Sequence, residues 1–188
     1  FYLDWFLARL SQGQFVVENP FNGVRRQVGA HPQQVQAIVF WSKDYSRLLA
    51  RAAELSAYHL AFNFTLNSES PLLEPRVPPL EVRLAQLREL AARFGPDAVG
   101  WRFDPIVCWE EDGRRCNNLG QFPRILEAAA EAGVRRLTVS FMDRYAKAER
   151  RASRLPGFRF YYPNLDEMVD TLIPLAKEAR SAGVQVSA

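Results

Sequence analysis

The sequence is short of the residues that most often announce a chemistry. It holds two cysteines, Cys108 and Cys116, in 188 residues. Two thiols make no disulfide framework, and a reducing, cytoplasmic setting is the expectation. Zinc prefers tighter pairs and an iron–sulfur cluster usually takes three or four thiolates, so these two read as ordinary thiols in a loop. Histidine is as scarce: His31 precedes Pro32 in a turn signal, and His59 opens a strand pattern. Neither His-x-x-x-His nor a Ser–His–Asp arrangement is present, which argues against a hydrolase triad. Without clustered histidines or paired carboxylates at strand ends, a metal-dependent barrel hydrolase ranks last, and no residue is assigned to a metal. No Gly-rich phosphate fingerprint follows any strand, which weakens a dinucleotide-binding fold. No apolar run approaches the roughly 20 residues a bilayer span needs. No secretory signal opens the chain, whose first residue is Phe1, and the native start is expected to lie out of view. The net charge of +3 is mild and permits a phosphate-bearing partner without arguing for one.

What is present is an ordinary globular composition, 48% hydrophobic and 24% charged, long enough for one domain with a sizeable core. Leu3, Phe6, Leu7 and Leu10 form a helical stripe over residues 1–12, stopped by Gly13. A short strand over residues 15–18, a dense Asn19-Pro20-Phe21-Asn22-Gly23 turn signal and residues 24–28 suggest a hairpin. From Ala37 strands and helices alternate. Strands are predicted over 37–43, 59–67, 98–107, 134–142 and 184–188, and helices over 45–57, 78–94, 122–132, 143–155 and 164–182. Such alternation means parallel strands with right-handed crossovers. The expected fold class is α/β, a TIM-like (β/α) barrel. It is expected to be partial as a single domain over residues 1–188, truncated at both ends. A doubly wound open sheet is the competitor.

The segment that organises the chain is Ala98–Val107. Val99, Trp101 and Phe103 point one way; Gly100, Arg102 and Asp104 point the other. Pro105 removes a ladder donor and is expected to end the pairing. The other strands repeat the division. Phe62, Phe64, Leu137 and Val139 lie in bulky rows, and Asn63, Thr65, Thr138 and Ser140 in polar ones, while Trp41 and Lys43 share a row with Val39. If the bulky rows meet the helices, the polar rows face the barrel axis, where unsatisfied groups would each cost about 1–3 kcal/mol. Two readings stand. One is a polar pocket over the C-terminal strand ends, built from Trp41, Lys43, Asn63, Thr65, Arg102, Asp104, Ser140 and Asp143, taking a small-molecule ligand or cofactor. The other is a self-satisfied Arg102–Asp104 pair that only orders the fold.

A second function class rests on the helix predicted over 143–155. Arg144, Lys147, Arg150, Arg151 and Arg154 make it basic, and Phe158, Phe160, Tyr161 and Tyr162 follow it. A nucleic-acid or phosphorylated-ligand module could stack bases on such rings, although a solvated helix face and packed aromatics are the plainer reading. No membrane partner is expected, and the sequence does not fix an oligomeric state.

The words Val16-Val17-Glu18-Asn19-Pro20-Phe21-Asn22, Ile38-Val39-Phe40-Trp41-Ser42-Lys43, Phe64-Thr65-Leu66, Trp101-Arg102-Phe103-Asp104-Pro105-Ile106 and Val139-Ser140-Phe141-Met142-Asp143 occur in that order. With the opening Phe1–Leu10 segment, they make the chain resemble the bacterial proteins grouped as domain of unknown function 1848. The resemblance runs over nearly the whole chain. It implies a partial barrel similar to radical S-adenosylmethionine enzymes, with S-adenosylmethionine and an iron–sulfur cluster as cofactors. Family members typically begin with a strand carrying a Ser-Arg-Arg-Thr-Asp word and end with a Cys-rich word expected to hold the cluster. Neither word occurs here, so no cluster ligand is carried onto this sequence. The resemblance does carry over Asn19, Asn22, Trp41, Lys43, Thr65, Arg102, Asp104, Ser140 and Asp143, with roles undefined.

Overall fold

The computed structural model describes Tyr2 to Ser187; the expectations for Phe1 and Ala188 lie outside the described residues. The chain divides into two compact units, Phe1–Phe40 with Tyr45–Ala61, and Trp41–Asp44 with Phe62–Ala188.

In the first unit, helix α1 (Leu3–Ser11) buries Leu7 and Leu10. Strands β1 (Gln14–Glu18) and β2 (Arg25–Gly29) pair antiparallel. The turn between them is set by its asparagines: the Asn19 side chain accepts from the Phe21 N–H, and that of Asn22 from the Val24 N–H. The helix predicted over 45–57 is tighter and broken. An α-helical turn, α2 (Ser46–Ala50), gives way at Arg51 (φ −118°, ψ 12°) to a 3-10 turn over Ala52–Leu55. The stripe itself survives, with Leu48, Leu49, Ala52 and Leu55 all buried, so the apolar contacts are kept while the winding changes.

The parallel strands are β3 (Ile38–Ser42), β4 (Leu60–Thr65), β5 (Val99–Ile106), β8 (Arg136–Phe141) and β10 (Gln185–Ser187). They form one five-stranded parallel sheet in the order β10-β8-β5-β4-β3. Each strand is therefore laid beside the previous one with no reversal, whereas a doubly wound sheet reverses at a switch point. The sheet has two edges, and no closed barrel is formed among the described residues.

The second unit shows why this order is stable. Phe62, Phe64, Val99, Trp101, Phe103, Leu137 and Val139 are each at most 2% exposed. They meet the helices as predicted. Phe62 lies against Phe94 of α3 (Leu80–Phe94), and Trp101 and Phe103 lie against Phe122 of α4 (Phe122–Glu131). Full burial of such a side chain is worth about 1.5–3 kcal/mol. The opposite row, Asn63, Thr65, Arg102, Asp104, Thr138 and Ser140, is only part-buried.

Three expectations are corrected. Pro105 does not end strand β5: the ladder shifts register after Phe103 and resumes at Ile106, opposite Phe141. Residues 108–120 are not a long loop. Strands β6 (Cys108–Glu111) and β7 (Arg114–Asn117) make a tight hairpin, to which β9 (Phe158–Tyr161) adds on the other side of β6. Asp112-Gly113 is a two-residue turn with positive φ at both positions (49° and 77°), the geometry an Asp-Gly pair favours. The basic helix predicted over 143–155 is shorter, α5 (Ala146–Ala152). Helix α6 (Leu165–Ser181) opens with a capping box between Asn164 and Glu167 and runs through Pro174.

Candidate functional site

Strand alternation puts Arg102 and Asp104 side by side on the polar face of β5, and they form an ion pair there. Arg102 is level with Thr65 of β4 and Thr138 of β8. Ser140, two residues further along β8, donates its hydroxyl to the second Asp104 oxygen. One carboxylate thus joins two strands through two donors. Burial pushes the Asp104 carboxyl up, but the hydrogen bonds from Ser140 and Arg102 and the charges of Arg102 and Lys43 outweigh it. The net effect is below its ordinary value.

The backbone at Asp104 is held as firmly as its side chain. Asn67, buried just past β4, accepts from the Asp104 N–H at 3.0 Å and reaches the Asp104 carbonyl with its amide at 3.4 Å. Asn118, also buried, does the same for the next stretch: it accepts from the Val107 N–H at 2.9 Å and donates to the Pro105 carbonyl at 3.0 Å. These two amides replace the ladder bonds that the register shift around Pro105 removes. Neither residue stood out in the sequence as part of a site, because asparagine after a strand reads as a turn residue.

Behind Asn67 stands Arg83 of α3, only 1% exposed. Its Nη1 donates to the Asn67 carbonyl and its Nε to the Pro78 carbonyl. Burial lowers the Arg83 pKa from its ordinary value, against the opposing charge of Glu69. Lys43, one residue past β3, pairs with Glu74 from the loop before α3. Burial first, then the nearby Arg83 cation, pulls its amine below the usual lysine range, while Asp104 pulls the other way.

Beyond Asp104 the C-terminal ends of β4, β5 and β8 open into a cavity of about 200 Å³. Ser70, Glu74 and Asn118 supply its polar wall, and Val107, Met142 and Phe160 its apolar wall. A separate groove of about 350 Å³ crosses the polar face at Asn63, Gly100, Thr138 and Ser187. Gly100 keeps that groove open, since a Cβ there would stand 3.2 Å from Asn63 Oδ1.

Of the eight residues predicted for the pocket, the structure brings together Lys43, Arg102, Asp104 and Ser140 through direct or charge contact. Thr65 is level with Arg102, and Asn63 with Gly100, on the same face. Trp41 is 64% exposed, and Asp143 is exposed in the loop after β8. Asn19 and Asn22 are accounted for by the hairpin turn they build.

A family model described as "Domain of unknown function (DUF1848)" matches residues 1–188. The chain belongs to the DUF1848 family. No curated protein and no solved structure matches it. In this DUF1848 chain the two thiols do not form a pair: Cys108 stands opposite Asn117 and Cys116 opposite Trp109, so the cysteines fall on opposite faces of one hairpin. Burial and the Glu167 charge push the Cys108 thiol up, away from the thiolate a metal would need. Among the described residues no group of three or more His, Cys, Asp or Glu is placed to hold a metal ion. No described helix is long and apolar enough to cross a membrane.

The basic segment is built into the surface. The Arg144 guanidinium lies 4.7 Å from the centre of the Tyr162 ring, whose hydroxyl donates to Glu149. Burial and that bond push the Tyr162 pKa up to about 12. Phe158 is buried, stacked on Trp109 at 6.3 Å and edge-on to Phe160 at 5.2 Å. Phe160, Tyr161 and Tyr162 are part-buried.

Proposed function

We propose that this chain is the ligand-binding part of a partial β/α-barrel enzyme of the radical S-adenosylmethionine-like kind, which takes a small polar ligand at the carboxyl ends of its parallel strands. The observation that carries the reading is the convergence of Lys43, Arg102, Asp104 and Ser140 beside a cavity bounded by the ends of β4, β5 and β8. Ligands of barrels sit at that end. The unreversed strand order supports the singly wound architecture.

The described residues do not fit an iron–sulfur cluster, since the cysteines face apart and no group of three ligands exists among them. An amino-acid ligand does fit. Arg102 suits a carboxylate, which a guanidinium takes in a fork, and Asp104 suits an ammonium or a ribose hydroxyl. Their mutual pair is the resting state that such a ligand replaces. The cavity of about 200 Å³ receives one end of a cofactor the size of S-adenosylmethionine, and the open polar face carries the rest.

Equilibrium dialysis with S-adenosylmethionine tests this. Saturable binding is expected, weakened at least about tenfold in Arg102→Met with an unchanged circular dichroism spectrum. No binding at millimolar ligand, or equal binding by the folded variant, overturns the reading.

A further inference from the structure

Helix α6 is the longest of the described helices, yet of its 17 residues it buries only Ala179. Helix α3, with 15 residues, buries seven. Between α6 and the sheet lies an apolar groove of about 690 Å³, walled by Leu172, Leu175 and Ala176 of α6 and by Leu137, Val139 and Val186 of β8 and β10. Three more apolar side chains of α6 stand open to solvent: Leu165, Val169 and Ile173 are 74%, 43% and 47% exposed. They recur every four residues and so form one stripe along the helix. A single exposed apolar side chain means little, but a row of them marks an interface.

The charges beside the stripe say what fits it. Asp166, Asp170, Lys177 and Arg180 are all exposed and lie within about a quarter-turn of one another, next to Ile173. None of the four makes an ion pair among the described residues. Both acids lie in the N-terminal half of α6 and both bases in the C-terminal half. The helix dipole explains such an order only in the first and last turns, and Asp170 and Lys177 lie between them. At two turns' separation those two cannot pair with each other. A partner of one charge sign would be repelled at one end of the stripe. A parallel copy would set acid against acid and base against base, which like charges disfavour. An antiparallel copy meets opposite charge at both ends.

We infer that the Leu165–Val169–Ile173 stripe of α6 is the interface of a homodimer, in which two copies of α6 pack antiparallel about a two-fold axis near Ile173. Each contact of such an interface occurs twice. Asp170 faces Lys177 of the partner subunit, Asp166 faces Arg180 of the partner subunit, and the reverse pairs repeat across the axis. Val169 and Ile173 pack between them and lose their contact with water.

Sedimentation velocity on the 188-residue chain tests this. The interface is small, so a dimer that dissociates within a range of about 5 to 500 µM is expected. A chain that stays monomeric across that range overturns the inference and leaves the stripe to another partner. Ile173→Asp is expected to weaken the dimer at least about tenfold with an unchanged circular dichroism spectrum, since the side chain is exposed in the single chain. A dimer of unchanged strength in that variant places the interface elsewhere and overturns the inference. Asp170→Lys sets like charges against each other on both sides of the axis and is also expected to weaken the dimer about tenfold or more. Adding Lys177→Glu to Asp170→Lys restores opposite charges in both pairs and is expected to recover most of the lost affinity. A double variant that dimerises no more tightly than Asp170→Lys alone overturns the antiparallel pairing. No ligand enters these measurements, so their outcome is independent of S-adenosylmethionine binding.

Discussion

The two faces of the parallel sheet differ by one residue of register and by nearly everything else. On β5, Val99, Trp101 and Phe103 are fully buried, while Arg102 and Asp104 between them are part-exposed and charged. The first face holds the sheet to its helices through ring contacts with Phe122. The second spends no apolar burial and instead collects hydrogen bonds around one carboxylate. Apolar burial and polar pairing are thus separated across a single strand, and each can be disturbed without the other. Trp101→Ala is the sharpest break on the stable side. It removes a side chain at 0% exposure, two ring contacts and the indole bond to the Leu66 carbonyl, so denaturant unfolding is expected to show a loss of about 3–5 kcal/mol. A loss under about 1 kcal/mol would mean that this face is not the core.

Asn67 lies where the two faces meet, and its removal reads the cost of the junction. Asn67→Ala leaves the Asp104 N–H without its 3.0 Å partner in a part-buried setting. The cost is expected to be about 1–3 kcal/mol, the penalty of an orphaned buried donor. Asn67→Asp keeps the acceptor and loses the donor to the Asp104 carbonyl, whose 3.4 Å contact is the weaker of the two. It also places a carboxylate at a site only 3% exposed, so it is expected to lose at least as much as Asn67→Ala in the same unfolding measurement; a smaller loss would show that the bond to the Asp104 N–H outweighs the buried charge.

The five parallel strands and their facing were legible because alternation has period two, and because a bulky row such as Phe62-x-Phe64 has only one side on which to be dry. The Arg102–Asp104–Ser140 group was legible for the same reason: all three fall on the other parity. What was not legible depended on distance in three dimensions. Glu74 and Arg83 look like ordinary loop and helix charges, yet one pairs with Lys43 and the other is buried behind Asn67. Asn118 lies between a hairpin and a helix, and nothing local marks it as the clamp on Pro105. The Asp112-Gly113 pair was a readable hairpin signal. The flanking strands are only four residues each and carry charges on both faces, so no alternation accompanies that signal. Trp41 and Asp143 were placed at the strand ends by parity and position, and the structure leaves both exposed there.

The smallest effect belongs to the polar face taken alone, and acid shows it. Asp104 has a pKa below its ordinary value in the folded chain, because the bonds from Ser140 and Arg102 and the neighbouring cations outweigh the burial that raises it. In the unfolded chain it returns to about 3.9. Its ionised form therefore stabilises the fold at every pH above that value. The contribution disappears as pH falls through the lower, folded-state pKa, where both states are protonated. The pair is part-exposed, so its worth is on the order of 1 kcal/mol or less. The stability gap between the protein and Asp104→Asn should then be constant from neutral pH down to about 4, and narrow only below that. A gap that already closes between pH 7 and pH 5 would mean that the carboxylate is not stabilised by its neighbours. The polar face would then have to be read as strained, waiting for a ligand's charge to complete it.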